Sequence, residues 1–110
     1  MFYQILKPFI ETLVKRTFKR GESIYLEGEI PESLFLLESG LVGLYHISES
    51  GKETFLRVFS KDNIFGHRSY FAEEPYHANA IALTQTEVHI ISKDQCNDIC
   101  KNHPLLLKEL

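Results

Sequence analysis

Phe65, Gly66, His67, Arg68 and Ser69 run consecutively, and His77, Ala78 and Asn79 follow after the segment Glu73-Glu74-Pro75-Tyr76. A glycine lets backbone N–H groups approach a ligand closely, while arginine, histidine and serine supply hydrogen-bond donors. These eight residues form a candidate pocket for a small anionic ligand. Pro75 marks a turn inside it. Arg68 and Ser69 offer an anion site, although Arg68 can equally sit on the surface and pair with Glu73 or Glu74. His77 has three readings: a partly buried ring satisfied by a backbone group, a pH or ligand sensor, or an axial haem ligand.

Other chemistry is sparse. His46, His67, His77, His89 and His103 are scattered without metal-binding spacing, and His89, between Val88 and Ile90, is expected to face solvent. Cys96 and Cys100 stand one helical turn apart. With His103 they supply two sulfurs and one nitrogen, against the plainer reading of ordinary buried thiols, and no fourth zinc ligand is evident. There is no Gly-x-Ser-x-Gly elbow, no phosphate-binding loop and no recognisable carboxylate pair. The chain is therefore read as a non-enzyme with no metal and no resident cofactor.

The elements that must position the pocket follow from the patterning. Phe2, Ile5, Leu6, Phe9, Ile10, Leu13 and Val14 recur at helical spacing, so residues 1–16 form an N-terminal helical segment, interrupted at Pro8. From Thr17 short runs rich in β-branched and aromatic residues alternate with turns at Gly21, Gly28, Gly40 and Gly51. Such regular short strands over 17–91 predict a sandwich or barrel. Two-fold alternation is visible in Thr54, Leu56 and Val58 against Glu53, Phe55 and Arg57, and in Ala78, Ala80 and Ala82 against Asn79, Ile81 and Leu83. Residues 92–110 return to helix: Ser92 and Gln95 form a capping box, Cys96, Ile99 and Cys100 a buried stripe, and Pro104 opens a further turn. Leu105, Leu106, Leu107 and Leu110 have nothing downstream to pack on, so the chain is expected to be the front part of a longer protein.

The 110 residues make one domain, with 44% hydrophobic and 25% charged residues. A formal net charge of -3 counts against gripping nucleic acid unaided. The cluster Lys15, Arg16, Lys19 and Arg20 is read as a solvated face. No stretch approaches the roughly 20 apolar residues of a membrane span, and no signal-peptide pattern opens the chain. Two cysteines without a disulfide framework point to a reducing cytoplasm.

The segment FKRGESIYLEGEIPESLFLLESGLVGLY resembles the opening of the sensor domain of Crp–Fnr-type transcription regulators, a cyclic-nucleotide-binding domain. The resemblance rests on Gly21-Glu22-x-Ile24-x-x-x-Gly28 and Leu34-x-Leu36-x-x-x-Gly40-x-Val42, and on Asp62-Asn63-Ile64-Phe65-Gly66, and covers about Thr17 to Leu110. It implies a mainly β fold, a double-stranded β-helix or jelly-roll-like β-roll with short flanking α-helices at both ends. It also implies a cytoplasmic homodimer in the full-length protein, a small-molecule effector, and DNA contact through a C-terminal domain absent from this chain. The competing classes are a regulatory ligand-binding domain of a channel or kinase, and a small cupin-type β-barrel enzyme.

In that family an arginine and backbone N–H groups hold the cyclic phosphate, and a glutamate takes the ribose hydroxyl. Here Gly66 is kept, but His67 stands at the glutamate position, His77 at the arginine position and Ala78 at the following Ser or Thr. Each lost charge-assisted hydrogen bond is worth roughly 1.5–3 kcal/mol, so losing two weakens binding on the order of a hundredfold or more. Cyclic AMP is therefore not expected to bind in the usual way. The iron–sulfur cysteines of the Fnr branch are missing.

Overall fold

The computed structural model describes residue 4 and residues 6–102. A 3₁₀ helix, Lys7–Thr12, leads into eight strands: β1 (Val14–Phe18), β2 (Ser23–Tyr25), β3 (Ser33–Ser39), β4 (Val42–Ile47), β5 (Glu53–Phe59), β6 (Ile64–Phe65), β7 (Asn79–Ala82) and β8 (Thr86–Ser92). Helix α1 (His67–Ala72) interrupts the series between β6 and β7, and α2 (Lys93–Asn102) follows it. The strands form two four-stranded sheets, in the orders β1-β8-β3-β6 and β2-β7-β4-β5. Every pairing is antiparallel. The expected mainly β roll with flanking helices is the architecture found.

The run Leu34-Phe35-Leu36-Leu37 shows why β3 lies at the centre. Phe35 and Leu37 pack into the core between the sheets, while Leu34 and Leu36 join a second cluster with Leu6, Ile91, Cys96 and Ile99. A strand covered on both faces reads as continuous apolar sequence rather than alternation. The capping box is formed as predicted. Gln95 N–H donates to Ser92 Oγ at 3.2 Å, and Ser92 N–H donates to Gln95 Oε1 at 3.1 Å. The Gln95 amide also reaches Thr12 O, tying α2 to the N-terminal turn. The four turn glycines expected from sequence all have positive φ.

Three local expectations differ from the structure. The roll begins at Val14, not Thr17. Val14 pairs with Ile90 and is 64% exposed, so it leaves the helical stripe, where Leu6 and Leu13 are buried. The described N-terminal turn is 3₁₀ because Pro8 sits in its first turn and Leu13 N–H closes back on Ile10 O. Phe2, Ile5 and the segment from His103 to Leu110 lie outside the described residues. β5 is a strand, but its alternation does not sort inside from outside. It is a sheet edge whose register shifts opposite Leu44 and Tyr45, and all its residues before Phe59 are exposed.

His89 also departs from expectation. It is buried at 5% exposure, with Nε2 3.0 Å from Glu38 Oε1. Lys15 bridges Glu38 and Glu87 at 2.7 Å each, so charged side chains from β1, β3 and β8 close around the ring. That bridge holds the Glu38 carboxyl below its ordinary range, through Lys15 first and His89 second. The same contacts, with Arg16 near Glu22 and over the Phe18 ring, occupy half of the basic cluster.

Candidate functional site

The site grows from one backbone irregularity. Gly66 ends β6 in the left-handed region, at φ 76°, and turns the chain directly into α1. A Cβ there would stand 3.0 Å from Cδ2 of Phe35, so both the conformation and the close approach require glycine. α1 ends at Glu73, itself left-handed, and its N–H returns to Ser69 O and Tyr70 O. The loop that follows is clasped to the β2 turn: Gly28 N–H donates to Tyr76 O at 2.9 Å, and Tyr76 N–H donates to Glu29 O at 3.0 Å.

Between α1, this loop and strands β2, β4 and β5 lies a cavity of about 320 Å³. Small-molecule sites run from about 300 to 1,000 Å³, so this one suits a compact ligand. Gly66, His67, Arg68, Ser69, His77 and Ala78 line it, six of the eight residues nominated from sequence. The other two do structural work. Phe65 is fully buried and stacks on Phe35 and Phe59. Asn79 accepts the Glu27 N–H through Oδ1 at 2.8 Å, holding the start of β7 against the end of β2.

The histidines part ways. His67 is half-buried, and its Nδ1 is inaccessible and without a hydrogen-bond partner among the described residues. Burial, then the nearby guanidiniums of Arg68 and Arg57, push its pKa below 6.5. His77 stands at the rim with a side chain 73% exposed, and its Nε2 meets Glu74 Oε2 at 2.8 Å. The partly buried ring satisfied by a backbone group is thus replaced by an exposed ring paired with a carboxylate. The reason is local: Tyr76, not His77, takes the inward position after Pro75. With Glu74 engaged by His77, Arg68 makes no ion pair among the described residues.

Sequence reasoning missed Arg57, Tyr25 and Tyr76. Arg57 projects into the cavity from β5, its Cζ 5.0 Å from the Phe59 ring centroid. No spacing signal marks it, because Leu56 and Arg57, adjacent on this edge strand, both line the cavity. Tyr25 and Tyr76 wall the cavity as a stacked pair. Among the described residues no Asp or Glu lines it. The cavity is cationic although the chain is net acidic.

Cys96 and Cys100 lie beneath α1 rather than at this cavity. Cys96 is buried, and burial pushes its thiol up to about 11. Among the described residues no three His, Cys, Asp or Glu side chains converge as a metal site. Among those residues, too, no helix is long and apolar enough to cross a membrane.

A sequence profile for the cyclic nucleotide-binding domain matches residues 15–103. The chain belongs to the cyclic nucleotide-binding domain family. An uncharacterised protein of Haemophilus influenzae is 39% identical over 88 residues, 79% of this chain and 68% of that one. The anaerobic regulatory protein of Bacillus subtilis is 34% identical over 82 residues, 74% of this chain and 34% of the relative. Among solved structures, the Thermus thermophilus catabolite activator protein superposes with a TM-score of 0.84 over 96% of this chain and 49% of that one. At 23% identity that likeness speaks for the fold. This cyclic nucleotide-binding domain thus spans about a third of the Bacillus relative and half of the Thermus activator. It is similar to regulators of the Crp–Fnr type, and it keeps their roll while carrying His67, His77 and Ala78 in its cavity lining.

Proposed function

We propose that this chain is the effector-sensing domain of a Crp–Fnr-like transcription regulator, whose cavity takes a small anion and does not hold cyclic AMP in the family's usual way. The observation that carries the reading is the lining: two arginines, two histidines and no carboxylate among the described residues. A ribose hydroxyl is held best by a carboxylate, and an imidazole ring supplies neither that carboxylate nor a guanidinium fork. The family match and the Bacillus relative support a regulatory, non-catalytic role. Contact with DNA then falls to a further domain, in a cytoplasmic homodimer.

The effector acts by binding one arrangement of the roll better than another. The loop from Gly66 to Asn79 connects β6 to β7, and α1 within it touches β3. β3 also carries the packing of α2 through Leu34 and Leu36. A ligand that shifts α1 therefore has a short packed route to α2. Calorimetric titration with cyclic AMP, cyclic GMP and a panel of small anions tests the reading. Heat from an anion with none from the nucleotides supports it, and micromolar affinity for cyclic AMP contradicts it.

A further inference from the structure

The cavity lining combines two kinds of group. Arg57 on β5 and Arg68 on α1 both line it, and they come from different elements. Both lie close enough to His67 to act on its charge. Neither makes an ion pair among the described residues. Arg57 is solvent-exposed, and its guanidinium lies over the Phe59 ring, which is itself part of the wall. A guanidinium presents five N–H donors in a planar fork that fits carboxylate and phosphate oxygens.

The lining also includes a largely aromatic and aliphatic surface. Tyr25 and Tyr76 stack with their planes 9° apart, and Leu44 and Ala78 complete the surface. Ala78 leaves room there that a larger side chain would fill.

This inference rests on the effector-sensing reading and names the chemical class of the effector. We propose that the cavity binds a small organic anion, a carboxylate or phosphate monoester on a flat apolar body, with Arg57 and Arg68 gripping the anionic group and the Tyr25–Tyr76 wall taking the body. Arg57 thereby supplies from β5 the guanidinium that the loop lacks at His77. Compactness follows from the volume of about 320 Å³.

The test is calorimetric titration of the full chain with benzoate, phenyl phosphate, inorganic phosphate and cyclic AMP. At least one aromatic anion should bind more tightly than inorganic phosphate, and which of the two does so separates carboxylate from phosphate chemistry. Arg57→Ala and Arg68→Ala should each weaken that binding by roughly tenfold or more, whereas Lys52→Ala, in the β4–β5 turn, should not change it. Thermal melting of each variant checks that the roll is intact. Unchanged binding in folded Arg57→Ala overturns the proposal, as does inorganic phosphate binding equally well or silence from both aromatic anions. Tight cyclic AMP binding beside that silence overturns the ligand class while leaving a sensing role in place. Silence from all four probes removes the support for both.

Discussion

Tyr25 and Tyr76 stack face to face, with ring centroids 3.7 Å apart, and so join the end of β2 to the loop before β7. Two backbone hydrogen bonds between that loop and Gly28–Glu29 lock the same junction. The pair is both a core element and a cavity wall. Burial raises both phenols, Tyr76 to about 12, so neither ionises near neutral pH.

Removing the Tyr76 ring should cost about 3 kcal/mol, because a large buried aromatic leaves a void that only partly collapses. Tyr76→Phe keeps the stack and should stay within about 1 kcal/mol of the parent protein. Urea unfolding of both variants measures the difference. Equal stability of Tyr76→Ala and the parent would mean that the loop is not held this way.

Gly66→Ala should destabilise the fold more than Gly51→Ala. Both positions have positive φ, which costs a side chain about 1–2 kcal/mol. A methyl group at Gly51 meets open space, whereas at Gly66 it meets the Phe35 ring at 3.0 Å. The excess in Gly66→Ala, read from urea midpoints, measures that steric contact. An equal loss in the two variants would remove the argument for close approach at the mouth of α1.

His67 should make stability pH-dependent in one direction. Its folded pKa lies below 6.5, chiefly through burial and then through Arg68 and Arg57. Between the folded value and 6.5 the unfolded chain takes up a proton that the folded chain refuses. The contribution is therefore present above that range and lost as the pH falls through it. The urea midpoint should drop further in the parent than in His67→Gln between about pH 7.5 and about 5.5. Parallel drops would show that the ring is freely solvated in the fold.

Much of the architecture was legible because local signals agreed. Gly21, Gly28, Gly40 and Gly51 marked turns that need positive φ, and Ser92 with Gln95 marked the start of α2. Gly40 shows how firm such a signal is, since an added Cβ would collide with Gln85 O and Thr86 Oγ1 at 2.5 Å. His89 was misjudged because alternation says which residues share a face, not whether that face is covered. Here Lys15, Glu38 and Glu87 arrive from three strands to cover it. The pocket was half legible for the same reason. The Gly66–Ala78 loop is contiguous in sequence, while Arg57 and Tyr25 reach the cavity from β5 and β2. Asn79 looked like a ligand contact, yet it is spent on the Glu27 N–H, a partner 52 residues away that no spacing reveals.

In the function proposed above, this domain keeps the family roll while His67, His77 and Ala78 take the place of the side chains that hold a cyclic nucleotide. The most direct measurement is calorimetric titration of cyclic AMP into the parent protein and into the triple variant His67→Glu, His77→Arg, Ala78→Ser. The parent should give no saturable heat, and the variant should bind on the order of a hundredfold or more tighter. Micromolar binding by the parent, left unimproved by the three substitutions, would contradict it.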